Sequence, residues 1–159
     1  VRRGGAAVRL SDKLDPRLVL ISPEVAGRDE LFRCFASAFF DLGLVAQSEV
    51  VVKRLLEREA ILSTGIGGGV AIPHAQIPGL GRLAMAASIH PSGISYPSLD
   101  NQPVRLVFCL LGDANTAADH LAGLARLARL ARGKEALEAL IEASSGDQFL
   151  EILTRLEGA

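Results

Sequence analysis

Ser63-Thr64-Gly65-Ile66-Gly67-Gly68-Gly69-Val70-Ala71-Ile72-Pro73-His74 places four glycines, a short β-type apolar run and a proline ahead of a single histidine. Glycine reaches backbone angles closed to other residues and lets another group approach the main chain, and proline fixes φ just before His74. The segment reads as a device for presenting an imidazole. The plain alternative is a glycine-rich turn leading into a strand, with an incidental histidine at its end. The run lacks the Gly-Lys-Ser/Thr ending of a phosphate-binding loop and leads into a strand rather than a helix, which argues against a nucleotide site.

Helical patterns precede this stretch and β-type patterns follow it. Upstream, Ser48 is a suitable N-cap for a helix carrying Val51, Val52, Leu55 and Leu56 to about residue 59. Before that, Leu31, Phe32, Phe35, Phe39 and Leu42 recur at the three-to-four spacing of one helix face, and Gly43 closes the helix. Residues 17–22, between Pro16 and Pro23, suit a first strand. Downstream, residues 83–89 and 104–111 are β-type runs, the second apolar nearly throughout as a strand covered on both faces requires. Thr116 is expected to begin a long helix, with Asp119 completing a capping pair. Its buried stripe would be Leu121, Leu124, Leu127, Ala128 and Ala131, and Arg126, Arg129 and Arg132 would largely face water. Helices at 135–143 and 147–156 are split by Ser144-Ser145-Gly146. The order β, α, α, β, β, β, α, α, α predicts an α/β fold, a single layered domain whose mixed β-sheet is flanked by helices on both faces.

At 159 residues one domain is expected, residues 10–157, behind a flexible lead at 1–9. A chain that is 49% hydrophobic and 22% charged with net charge −1 is neither disordered nor strongly basic. The arginines at three-residue spacing lack neighbouring aromatic rings, so no nucleic-acid partner is expected. Cys34 and Cys109 sit in apolar patterns and read as small buried hydrophobes rather than a disulfide. With no signal-type start and no apolar run near ~20 residues, the expected compartment is the cytoplasm, without membrane insertion. His74, His90 and His120 stand at no close metal-ligand spacing with Asp113 or Asp119, so neither a metal nor a cofactor is implied. Ser63 and Ser88 lack a nucleophile-elbow pattern. His90 reads as a polar loop histidine.

Arg58-Glu59, the segment from Ser63 to His74, and His120-Leu121 opening Leu124-Ala125-Arg126-Leu127-Ala128 together resemble the enzyme IIA domain of the bacterial phosphoenolpyruvate-dependent sugar phosphotransferase system, fructose and mannitol class. The Ser-Thr-Gly-Ile-Gly form resembles its nitrogen-regulatory branch most closely. The similarity runs from about residue 10 to 153. Gly68 stands where an asparagine is common, Gly123 weakens a helix turn, and His90-Pro91 has no counterpart.

The resemblance implies a phosphotransferase component in which His74 accepts a phosphoryl group from a histidine phosphocarrier protein, HPr or its nitrogen-branch paralogue. It implies Nδ1 donating to a backbone carbonyl with Nε2 facing the donor, and His120 and Arg58 stabilising the phosphoryl charge. A neutral imidazole suits nucleophilic attack near pH 7. Two downstream roles follow: a regulator whose phosphorylation switches contacts with a target protein, and a sugar-uptake relay to a fructose- or mannitol-type IIB domain. Ile72, Ile77 and Leu80 are candidates for an apolar docking patch around His74, with a place in the core at the strand end as the rival reading for Ile72 at least.

Overall fold

The computed structural model describes residues 8–158. The nearly unbroken apolar run after Pro103 forms β6 (Val104–Gly112), the centre of a six-stranded sheet. Its partner on one side is β5 (Ala84–Ile94), antiparallel, which pairs in parallel with β1 (Leu14–Ile21) at the edge. On the other side β6 pairs in parallel with two short strands in succession, β3 (Val70–Ala71) and β4 (His74–Gln76). The strand β2 (Gly65–Gly67) lies antiparallel to β3.

The helices are α1 (Leu10–Lys13), α2 (Arg28–Asp41), α3 (Ser48–Ile61), α4 (Ala117–Leu130), α5 (Lys134–Ile141) and α6 (Gly146–Gly158). Alternation along β6 sends successive side chains to opposite sides of the sheet. Phe108 meets Phe149 of α6 with ring centroids 6.0 Å apart, and Gly123 lets α4 lie so close that a Cβ there would approach the Leu110 side chain to 3.2 Å. On the other side α2 packs against β1 and β5, and its Phe32 is edge-on to the buried Tyr96 ring at 6.1 Å. Helices therefore cover both faces of a mixed sheet, the α/β fold expected.

The details depart from expectation where a local pattern misled. The first strand begins at Leu14 and contains Pro16; its register against β5 shifts between Leu14 and Val19, and an irregular edge strand tolerates the missing N–H. Of the expected flexible lead, residues 1–7 lie outside the described residues, and Val8 already belongs to the core. Ser48 is the first residue of α3, not its cap; Gln47 occupies that place without a side-chain bond. The capping pair at the start of the long helix is Asp113 with Thr116, one turn earlier than expected, across the 3₁₀ turn Ala114–Thr116. Asp113 accepts from the Asn115 and Thr116 amides at 2.9 and 3.1 Å, and the Thr116 hydroxyl accepts from the Asp113 amide at 2.8 Å. The buried row of α4 is His120, Gly123 and Leu127, so Leu121 is rotated outward. Arg126 is half-buried rather than free in water: its Nε donates to Glu157 at 2.8 Å, and the same carboxylate accepts the Leu10 and Ser11 amides, tying α1, α4 and α6 together. Cys109 is buried as expected, while Cys34 is half-buried.

His90 is not a loop residue. It is a member of β5, 4% exposed, with Nε2 2.8 Å from the Ser88 hydroxyl. Burial pushes its pKa down to about 4. An unfolded histidine titrates near 6.5, so between those values the unfolded chain binds more protons and stability falls as pH drops. Over that window we expect a loss of up to about 3 kcal/mol from this group. Denaturant midpoints at pH 7 and pH 4.5 check it: His90→Gln should show a visibly smaller pH difference than the unsubstituted protein, and an equal difference would remove His90 as the cause.

Candidate functional site

The strands β3 and β4 are one parallel strand interrupted at Ile72-Pro73. Val70 and Ala71 pair with Leu106 and Val107, and pairing resumes with His74 opposite Leu110. Proline has no N–H for the ladder. Its carbonyl still accepts the Leu110 amide at 3.0 Å, while the Ile72 amide turns away to donate to the Thr64 carbonyl, also at 3.0 Å. The Ile72 carbonyl, freed from the ladder, lies 2.8 Å from Nδ1 of His74. A carbonyl only accepts, so Nδ1 carries the hydrogen and Nε2 keeps its lone pair.

The opposing wall is the start of α4. Asp113 fixes the preceding turn and also accepts the Gly81 amide at 2.6 Å. In the first turn of α4, His120 sets its ring edge-on to His74, centroids 5.7 Å apart and planes at 75°. Its Nδ1 is buried against Gly112 with no hydrogen-bond partner among the described residues, and a Cβ on Gly112 would come within 2.6 Å of that nitrogen. A buried nitrogen without a partner is less costly as a bare acceptor than as an N–H. The proton therefore belongs on Nε2, a donor available on the cavity side.

The third wall is the last turn of α3. Arg58 donates through Nη1 to the Leu62 carbonyl at 2.7 Å, which holds its guanidinium beside the cavity. The cavity has a volume of about 430 Å³, and Arg54, Arg58, His74, Gln76, His120 and Leu121 are among its lining residues. Burial is the main cause lowering the His74 pKa; the Ile72 bond raises it and the Arg58 charge lowers it further. Burial likewise lowers that of His120, with His74 adding to the effect. Both shifts favour the neutral ring at pH 7.

The three residues singled out in the sequence, Arg58, His74 and His120, thus share one cavity. Among the described residues no glycine of the 65–69 run lines it. These glycines instead make the β2–β3 hairpin: Gly67, Gly68 and Gly69 have φ of +90°, +67° and +82°, and the Asp100 carboxylate accepts the Gly68 amide at 3.0 Å. The expected apolar patch is also displaced. Ile72 and Ile77 are buried in the core and Leu80 is half-buried; the Ile72 amide is tied to the Thr64 carbonyl and the Ile77 amide to that of Gly112. The exposed apolar rim is formed by Ile61 and Leu121, 81% and 70% exposed, both lining the cavity. Sequence reasoning passed over Arg54 in the cavity wall; its spacing of four from Arg58 on α3 was the available signal. No group of three or more His, Cys, Asp and Glu side chains among the described residues is arranged to hold a metal ion.

The family model for the phosphoenolpyruvate-dependent sugar phosphotransferase system, EIIA 2, matches residues 12–156. The chain belongs to this EIIA 2 family. Curated relatives of the EIIA 2 chain include both nitrogen regulatory proteins and fructose-specific components. It is 35% identical over 118 residues to the nitrogen regulatory protein of Bradyrhizobium diazoefficiens, covering 74% of this chain and 76% of that protein. It is 28% identical over 148 residues to the fructose-specific EIIABC component of Bacillus subtilis, covering 93% of this chain and 23% of the much longer relative. Among solved structures, the nitrogen regulatory protein IIA-Ntr of Neisseria meningitidis superposes with a TM-score of 0.84 at 28% identity, covering 91% of this chain and 98% of that one. Among the described residues no helix of the EIIA 2 domain is long and apolar enough to cross a membrane.

Proposed function

We propose that this protein is a cytoplasmic phosphocarrier whose His74 accepts a phosphoryl group at Nε2 from HPr or an HPr-like paralogue, chiefly in a nitrogen-regulatory phosphotransferase system. The observation that carries the reading is the 2.8 Å contact between Nδ1 and the Ile72 carbonyl, which commits the other nitrogen to the cavity as a lone-pair donor. In the transfer, Nε2 forms a bond to phosphorus while the bond to the donor's imidazole nitrogen breaks, its electron pair staying with the donor. Phosphoryl transfer asks mainly for alignment and for charge stabilisation on the phosphoryl oxygens. Arg58 supplies fixed positive charge and His120 an N–H from the first turn of α4, where the helix dipole adds to the field. The apolar rim of Ile61 and Leu121 gives the donor a surface to dock on around the reacting nitrogen.

Incubation with phosphoenolpyruvate, enzyme I and HPr or its paralogue tests this: one phosphoryl group should appear, labile in acid and stable in base. An acid-stable label would sink it. The second reading, a relay to a fructose- or mannitol-type IIB domain, is favoured by the match of nearly the whole chain to the Bacillus fructose component. Adding IIB domains to the phosphorylated protein separates the two. Rapid discharge supports the relay; retention of the phosphoryl group, with a partner bound only by the unphosphorylated form, supports the regulator. Phosphorylation adds about 1.5 to 2 negative charges beside that apolar rim.

His120→Ala should keep the fold and slow transfer, or shorten the life of the phosphoryl group, by about tenfold to a hundredfold. That corresponds to the loss of one charged hydrogen bond of about 1.5 to 3 kcal/mol. Arg58→Ala should act in the same direction but less, because its guanidinium is shared with the Leu62 carbonyl. Single-turnover transfer from the phosphorylated donor measures both, and wild-type rates in both variants would reduce these side chains to structural parts.

A further inference from the structure

Glu59 is a carboxylate in an unfavourable place. It continues the buried row Val51, Leu55, Glu59 of α3, its side chain is 1% exposed, and it stands in the last turn, where the helix dipole disfavours negative charge. Among the described residues its one ion-pair partner, Arg28, is 3.9 Å away, at the limit of such a contact. What surrounds it instead is a set of donors. The Thr64 amide lies 3.2 and 3.3 Å from the two carboxylate oxygens, the Thr64 hydroxyl donates to Oε2, and the Tyr96 hydroxyl donates to the same oxygen at 3.2 Å. The Thr64 and Tyr96 hydroxyls are themselves 2.7 Å apart.

Those bonds lead toward the cavity. Thr64, held by Glu59 at its amide and hydroxyl, accepts the Ile72 amide on its carbonyl at 3.0 Å. Ile72, so held, presents its own carbonyl to Nδ1 of His74 at 2.8 Å. We propose that Glu59 is a positioning residue for the His74 imidazole, acting through Thr64 and Ile72 to keep the hydrogen on Nδ1 and the lone pair on Nε2. The two neighbours on α3 divide the work: Arg58 lines the cavity, and Glu59 reaches away from it to set the backbone that orients the acceptor ring. The negative charge of Glu59 also opposes that of Arg58 in its effect on His74. Burying a carboxylate here for stability alone would be poorly rewarded, since an apolar residue in the same row would fill the space without the desolvation cost.

The test reads the ring directly. Nitrogen-15 spectra of the histidine side chains in the full, unphosphorylated chain should show His74 as a single tautomer with hydrogen on Nδ1. In Glu59→Gln, with an otherwise native amide spectrum, the two His74 ring resonances should move toward each other as the tautomers mix. Transfer from the phosphorylated HPr-type donor should fall about tenfold, since small misplacements of a reacting group are costly. Thr64→Val, which removes only the hydroxyl, should move the resonances in the same direction by less, and Thr64→Ser should restore them. A folded Glu59→Gln with unchanged His74 resonances overturns the proposal. If Glu59→Gln does not fold, Thr64→Val decides in its place, and unchanged resonances there overturn it equally. The transfer arm rests on the phosphocarrier reading while the ring arm does not: mixed tautomers in a protein that accepts no phosphoryl group would leave Glu59 in its role and reject the carrier function.

Discussion

His74→Ala is expected to take no phosphoryl group from phosphoenolpyruvate through enzyme I and the matching carrier, while unfolding at the same denaturant concentration as the unsubstituted protein within experimental error. The loss should be complete because no second imidazole is presented in the same way. His120 sits in the same cavity, but its Nδ1 is sealed against Gly112 and its ring is held as a donor beside His74. His90 is buried in the sheet beside Ser88. Stability should change little because the His74 ring is half-buried, its one protein hydrogen bond is to a carbonyl, and a net hydrogen bond is worth about 1 kcal/mol. Residual acid-labile label in this variant, above that of a control without carrier, would place the acceptor elsewhere.

Gly65→Ala should be the most damaging small substitution near the site. A Cβ at this position would come within 2.3 Å of the Pro97 carbonyl and 2.8 Å of Ser98, contacts that no side-chain rotation relieves because both are set by the backbone. The Gly65 carbonyl also accepts the Leu99 amide at 3.1 Å, so the two segments are joined where the clash would occur. Overpacking of this kind costs about 1 to 3 kcal/mol, occasionally more. The displaced residue adjoins Thr64, whose carbonyl holds Ile72. We therefore expect a lowered denaturant midpoint together with at least a tenfold loss of transfer, since a misplacement far from the reacting atoms reaches that size. Gly68→Ala, where nothing lies within 4 Å of the added carbon, is the comparison: its cost should be confined to the strain of a positive φ. Equal effects of the two substitutions would contradict the account of Gly65.

The layered fold was legible because its strongest signals are long. The apolar run 104–111 became the central strand, and the phenylalanine spacing of residues 32, 35 and 39 became the buried face of α2. The gathering of Arg58, His74 and His120 was legible through the family pattern and not through spacing, since the three come from three elements that only the fold brings together. Other features were present in the sequence but misread. Asp113 followed three residues on by Thr116 is a capping pair, overlooked because Thr116 and Asp119 offered a similar one. Glu59 extends the four-residue spacing of Val51 and Leu55, a signal of burial that went unused because a charged residue in an apolar row is uncommon. His90 next to Pro91 suggested a loop, whereas β5 runs on through both to Ile94. The reach of the docking rim was not readable: whether Ile61 and Leu121 or Ile72 and Ile77 face out depends on how α3, α4 and the strands around Pro73 pack against one another, which only the tertiary fold sets.

The most direct test of the central claim is to identify the atom that carries phosphorus. Nitrogen-15-labelled protein, phosphorylated through phosphoenolpyruvate, enzyme I and the HPr-type carrier, should show phosphorus-coupled nitrogen only at Nε2 of His74, with Nδ1 still bearing its hydrogen. Coupling at Nδ1 of His74, or at any nitrogen of His120, would contradict it.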